Sequence, residues 1–167
     1  REIMKAETYK ARLKFLQENS ISTADDLTAC MHQAESTVTQ LAKQRTILNV
    51  RKKKRKKLFD ALAAEEALAM SKDLYEEGLS GMESEYAQYV EAKATLDTCG
   101  ISRQALTEEK ADIYEQLAQL NKQIRAERKK IKLCREIADS AAKMQQDIAV
   151  QEKSQQEKEA SQTRDYK

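Results

Sequence analysis

The sequence has few of the residues that make tight turns. Its 167 residues include no Pro, no Trp and only three Gly, at positions 78, 81 and 100. Hairpins and phosphate-cradling loops depend on Gly and Pro, so their scarcity excludes a β-rich or α/β fold. No apolar run approaches the roughly 20 residues that cross a bilayer, and the first residues contain no apolar signal core. We therefore expect a soluble, cytoplasmic chain without membrane contact.

Groups that carry catalysis are also scarce. His32 is the only histidine, which excludes a metal site with two imidazoles and leaves Ser-His or Cys-His catalysis dependent on one side chain. The cysteines Cys30, Cys99 and Cys134 form no CxxC pair, so we expect small buried thiols in a reducing compartment rather than disulfides or a zinc knuckle. No nucleotide, dinucleotide, zinc-protease or calcium-binding motif occurs. We expect no active site, cofactor, bound metal or small-molecule substrate, and the chain is not expected to be an enzyme.

Charge and helix-forming residues are abundant. Charged residues make up 35% of the chain, against roughly 25% in an ordinary domain. Apolar residues recur in alternating steps of four and three from Leu27 to Leu62, and again from Leu106 to Ile148. The first seam is interrupted at the basic run. The polar exceptions are Arg45, Lys52 and Arg55 in the first seam and Lys110, Glu127 and Gln145 in the second. Because such seams need a partner helix, we predict an all-α fold of long antiparallel coiled-coil helices with shorter flanking helices. A homodimer through the same seams satisfies the pattern equally well.

Caps and breaks divide the chain. Thr23 and Asp26 resemble a capping box at the start of a long helix, Gly78 and Gly81 follow its end, and Ser102 is available as a further N-cap. The predicted segments are a short amphipathic helix at 1–20, a long helix with a basic run at 23–77, a short helix at 82–98, a second long helix packing on the first at 102–150, and a polar tail at 151–167 that is frayed or disordered.

The most informative feature is a run of seven consecutive basic residues inside a stretch, Ser36 to Phe59, that has no acid. Seven residues make about two helical turns, so the charge covers every side of the helix and like charges repel at i and i+4. A second basic stretch contains only Glu127 as an acid. The candidate nucleic-acid-binding residues are Arg51, Lys52, Lys53, Lys54, Arg55, Lys56, Lys57, Lys122, Arg125, Arg128, Lys129, Lys130, Lys132 and Arg135.

The two basic stretches are expected to meet. If the long helices are antiparallel and close near residue 90, residues 51–57 lie opposite roughly 123–129 and form one surface. Binding to the DNA phosphate backbone, with release of counterions, is the natural use of such a surface. Only Phe59 interleaves with the charges, so we expect contacts to phosphates with weak sequence specificity. The alternatives are a solvated coiled-coil face and a nuclear-localisation or acidic-lipid signal.

One segment is similar to a known family. Tyr9 to Leu27, reading YKARLKFLQENSISTADDL, resembles the segment after the nuclease domain in relaxases of Gram-positive conjugative and mobilisable elements. The phrase EYAQYVEAKATL at Glu85 to Leu96 and the helix from Leu106 to Ile148 also look like the C-terminal helices of those proteins.

The resemblance implies a non-catalytic C-terminal region of a DNA strand transferase that acts in plasmid mobilisation and conjugation. Relaxases cleave one DNA strand with a tyrosine nucleophile and a metal held by a histidine cluster, which this chain lacks. No catalytic role therefore passes to any of its tyrosines. The implied partners are DNA and proteins of the relaxosome or secretion machinery. The alternative is a structural coiled-coil spacer or dimerisation module without nucleic-acid binding. The tyrosines concerned are Tyr9, Tyr75, Tyr86, Tyr89, Tyr114 and Tyr166.

Overall fold

The computed structural model describes residues 2–162, and the fold of this part is all-α, without a strand. None of the helices, as far as they are described, has a run long and apolar enough to span a bilayer. The four helices are α1 (Glu2–Glu18), α2 (Ala24–Glu76), α3 (Glu83–Thr98) and α4 (Arg103–Gln162).

Local hydrogen bonds explain where the long helices begin. The Asp26 carboxylate accepts the backbone N–H groups of Ser22 and Thr23, both at 3.0 Å, and the Thr23 hydroxyl accepts the N–H of Asp26 at 3.1 Å. This arrangement is the reciprocal capping box that the sequence predicts. It also lowers the pKa of Asp26, mainly through the bonds from Ser22 and Thr23. At the start of α4, the Ser102 hydroxyl accepts the N–H of Ala105 at 3.1 Å, which confirms the second predicted cap.

The glycines allow the chain to turn after α2. Gly78 and Gly81 have φ angles of +91° and +90°, a conformation that L side chains rarely adopt. The N–H of Leu79 donates to the carbonyl of Leu74 at 3.0 Å, which satisfies one of the carbonyls left open at the helix end. The predicted end of α2 at these glycines is confirmed.

The chain divides into two compact units, of which the central unit is Gln40–Ile124. Its core combines Leu48 and Phe59 of α2, Leu96 of α3, and Leu106 and Ile113 of α4. Leu106 and Ile113 are completely buried. The heptad seams thus supply the core of this unit, although supercoiling of the helices remains a prediction.

Polar contacts fix the helix direction within the central unit. Arg45 donates to Asn121 at 3.1 Å, Arg51 to Glu109 at 3.2 Å, and Arg103 to Glu65 at 2.6 Å. The partner number on α4 falls as the number on α2 rises, so these parts of the two helices run in opposite directions.

The terminal unit comprises the described residues of Arg1–Thr39 and Arg125–Lys167. Its core contains Phe15 of α1, Leu27 of α2 and Cys134 of α4. Arg12 donates to the Ser140 hydroxyl at 3.0 Å. The turn between α1 and α2 therefore has a structural role, because it brings Phe15 and Leu27 into one core.

Helix α4 extends further than the sequence predicts. The expected frayed or disordered tail begins at residue 151, whereas α4 continues to Gln162 with every residue from 141 to 162 exposed. The reason is local: this segment has no Gly or Pro and is rich in Gln, Glu, Lys and Ala, which favour the helix without tertiary contacts. The rest of the predicted tail lies outside the described residues.

Candidate nucleic-acid interface

Part of the basic run on α2 is used inside the central unit. Arg51 and Arg55 both form ion pairs with the half-buried Glu109 of α4, each at 3.2 Å. The ammonium of Lys52 lies 4.5 Å from the centre of the Tyr114 ring, within cation–π range. These three basic side chains therefore help to join α2 to α4.

The same contacts correct the predicted register. The run contacts positions 109 and 114 of α4, so the expectation that residues 51–57 lie opposite 123–129 is wrong. The physical reason is α3, which packs Ala92 and Leu96 into the core as a separate helix. Arg103 at the start of α4 consequently meets Glu65, and the chain does not fold back around residue 90.

Three lysines of the run point to solvent. Lys53, Lys54 and Lys57 are exposed and form no ion pair with any residue from 2 to 162. Lys53 and Lys57 are four residues apart and share one side of α2, directed away from the buried Leu48 and Phe59. We call Lys53, Lys54 and Lys57 the α2 lysine face.

A shallow cavity of about 430 Å³ adjoins this face. Lys52 and Lys53 bring positive charge to its wall, and Tyr114 contributes a half-exposed ring. Lys56 forms an i,i+4 ion pair with Asp60 at 2.5 Å, and the hydrogen bond to Asp60 raises the pKa of Lys56. A cavity with several ammonium groups and an aromatic ring suits a phosphate and its attached nucleoside. Its lining residues are Asn49, Lys52, Lys53, Lys56, Phe59, Asp60 and Tyr114.

Sequence reasoning missed two residues of this region. Tyr114 is 57 residues beyond the end of the run, and only the register of α4 brings its ring beside Lys52. Lys43 is exposed, lies in the same acid-free stretch of α2 and has no ion-pair partner within the described chain. The absence of acids from 36 to 59 was the signal that could have identified Lys43.

The second basic stretch lies along α4. Lys122 belongs to the central unit and is exposed. In the terminal unit, Arg125, Lys129 and Lys132 lie on the side of α4 away from the buried Ile131 and Cys134. Several basic residues of this stretch form ion pairs with acidic side chains: Lys130 with Glu127, Lys132 with Glu136, and Arg135 with Glu35. Lys122, Arg128 and Lys129 make no ion pair within residues 2–162.

Other chemistry has little geometric support in the described residues. Across positions 2–162, no three His, Cys, Asp or Glu side chains form a group that could hold a metal ion. Tyr75 and Tyr86 stack with ring centroids 4.2 Å apart, which is a packing contact next to the turn after α2. Tyr166 lies outside the described residues.

Comparisons with known protein families, curated proteins and solved structures gave no match to this chain.

Proposed function

We propose that the chain is a non-catalytic helical module that binds the phosphate backbone of DNA through the α2 lysine face and the adjoining cavity. The observation that carries this proposal is that Lys53, Lys54 and Lys57 are exposed together on one helix and lack acidic partners among residues 2–162. Ordinary solvated helix faces mix both signs of charge, whereas this face carries only one.

Counterion release supplies the driving force. A phosphate that contacts an ammonium group releases a condensed cation, which favours binding at low salt and weakens it as salt rises. Phosphates carry no sequence information, so binding by this face is weakly sequence-specific. Tyr114 adds a ring on which an unpaired base can stack, since it borders the cavity.

The proposed setting is the accessory region of a mobilisation relaxase. It rests on the resemblance of the segment Tyr9 to Leu27 to such proteins. This segment forms part of α1, the capped turn and the start of α2. In that setting the module acts beside a nuclease during conjugative transfer, and proteins of the relaxosome or secretion machinery are its further partners.

DNA binding is tested by fluorescence anisotropy with single- and double-stranded oligonucleotides at several salt concentrations. Changing Lys53, Lys54 and Lys57 to Gln together should weaken binding and flatten the salt dependence, because each lost phosphate contact removes about 0.9 from the log–log slope on duplex DNA. The matched control changes Lys143, Lys153 and Lys158 to Gln; these residues are exposed on the C-terminal part of α4.

The control separates a local effect from a general one. Each triple variant removes three positive charges from a net charge of +2 and leaves −1, so both have the same net charge. Loss of affinity confined to the α2 variant supports the proposal. Equal losses in both variants, or an unchanged slope in the α2 variant, would count against it.

A second function is favoured by a different observation. Arg51, Arg55 and Lys52 are engaged with Glu109 and Tyr114, so part of the run serves to join helices. A structural spacer or dimerisation module would need only this part. Such a module passes through a heparin column at moderate salt, and its molecular mass in the same buffer shows whether it forms a dimer.

A further inference from the structure

Two cysteines from different helices meet in the core of the terminal unit. Cys134 of α4 is 1% exposed and packs with Phe15 and Leu27. Cys30 of α2 is half-buried and packs against the same cluster. Cys30 lies close enough to Cys134 to contribute to the raised pKa of the Cys134 thiol. Lys130, one turn before Cys134 on α4, lines the same surface cavity as Cys30, which independently places Cys30 beside this part of α4.

The two thiols differ in access. Cys30 borders an open cavity of about 470 Å³ whose lining also includes Lys130 and Glu127. Cys134 is closed off from solvent. Burial, and to a smaller extent the neighbouring Cys30, raises the pKa of its thiol to about 11. A small water-soluble oxidant therefore meets Cys30 first, and Cys134 is placed to react with whatever forms there.

We propose that Cys30 and Cys134 are a modification site at which hydrogen peroxide forms an intramolecular disulfide between α2 and α4. The Cys30 thiolate attacks one peroxide oxygen and the O–O bond breaks; the leaving hydroxide takes a proton, so the products are water and a sulfenic acid at Cys30. The Cys134 sulfur gives up its proton and attacks the Cys30 sulfur. The S–S bond forms, the S–O bond breaks and a second water leaves. Two thiols are oxidised and one peroxide is reduced to two waters.

Peptide mapping of the unaltered chain tests this site directly. Cleavage after Lys and Arg places each cysteine on a different peptide: Cys30 on residues 15–43, Cys99 on 94–103 and Cys134 on 133–135. After treatment of the folded chain with peroxide and blocking of free thiols, we expect the peptides 15–43 and 133–135 to be joined. The joined mass should lack two hydrogen atoms, and a thiol reductant should separate the peptides again.

Variants provide the second measurement. Cys99→Ser should leave the cross-link intact, because Cys99 belongs to the central unit and its thiol contacts the carbonyls of Leu96 and Ile101. Cys30→Ser should abolish the cross-link and leave Cys134 unmodified. Mapping of the unaltered chain still decides the question if a variant does not fold. The proposal fails if both thiols stay free in peroxide, if Cys30 passes to the sulfinic acid without a cross-link, or if the disulfide joins two chains.

Discussion

Arg103, the first residue of α4, binds two carboxylates at once. Its guanidinium donates to both oxygens of Glu65, at 2.6 and 2.5 Å, and lies 2.9 Å from Asp97. Paired donation of this kind fixes geometry as well as charge. The bonds from Arg103 lower the pKa of Glu65, against a smaller opposing effect of burial. This residue therefore ties α2, the end of α3 and the start of α4 together.

We predict that Glu65→Gln lowers the free energy of unfolding by about 1 kcal/mol at pH 7, a modest value because Arg103 is partly solvated. Since the folded pKa of Glu65 lies below its unfolded value, the stabilisation is complete above the ordinary glutamate pKa of about 4.3. It is lost as the pH falls through the lower folded pKa. Urea unfolding followed by circular dichroism should show the difference between the variant and the natural chain shrinking towards pH 3.

The neighbouring Glu66 provides the control. Glu66 is exposed and forms no ion pair within the described chain, so Glu66→Gln should change stability little at either pH. If the difference in unfolding free energy between the natural chain and Glu65→Gln stays constant with pH, the shape of the Glu65 side chain, rather than its ionisation, accounts for the effect.

At the scale of the helix, the start of α2 depends on the capping box of Thr23 and Asp26. The Thr23 hydroxyl satisfies a backbone N–H that has no partner inside the helix. We predict that Thr23→Ala destabilises the terminal unit by about 1 kcal/mol. The measurement is thermal or urea unfolding of the full chain.

Thr28→Ala is the matched control on the same helix. Thr28 is exposed, and its hydroxyl only bonds back to the carbonyl of Ala24 at 3.1 Å. Because Ala is the better helix former, this change should be neutral or slightly stabilising. Equal destabilisation by the two changes would show that the cap contributes nothing specific.

Helix limits and helix pairing differ in how far the sequence predicts them. The limits of α1, α2 and α3 and the start of α4 follow from local chemistry, such as Thr23, Gly78 and Ser102, and agree with the structure to within about two residues. The register between α2 and α4 does not follow from the sequence. The reason is that α3 lies between these helices in the chain and packs into the same core, which changes the part of α4 that meets the basic run. The contact between Lys52 and Tyr114 depends on that shift and has no local signal.

At the scale of the whole described chain, burial is unevenly distributed along α4. Its buried residues extend from Leu106 to Cys134, and every residue from 141 to 162 is exposed. The last part still carries apolar side chains: Met144, Ile148 and Val150 are 65%, 52% and 67% exposed. The helix there is held by its own backbone bonds and by side-chain propensity, and helices of about 20 residues are only marginally stable by such means.

We therefore predict a gradient of amide hydrogen exchange along α4. Amides from 106 to 134 should be strongly protected, whereas those from 145 to 162 should exchange within about one order of magnitude of an unstructured chain, since local opening there breaks few contacts. Exchange followed by mass spectrometry on overlapping peptides measures both regions in one experiment.

Strong protection of residues 145–162 would contradict this prediction and would mean that something covers Met144, Ile148 and Val150. Repeating the exchange experiment at protein concentrations that differ by a hundredfold shows whether this protection comes from a second copy of the chain or from the chain itself. Protection that rises with concentration indicates a second copy of the chain, because association depends on mass action and intramolecular packing does not. Protection that is independent of concentration indicates that the chain itself stabilises this part of α4. The first result would support the dimerisation module, since an apolar helix face covered only in the dimer is what such a module requires.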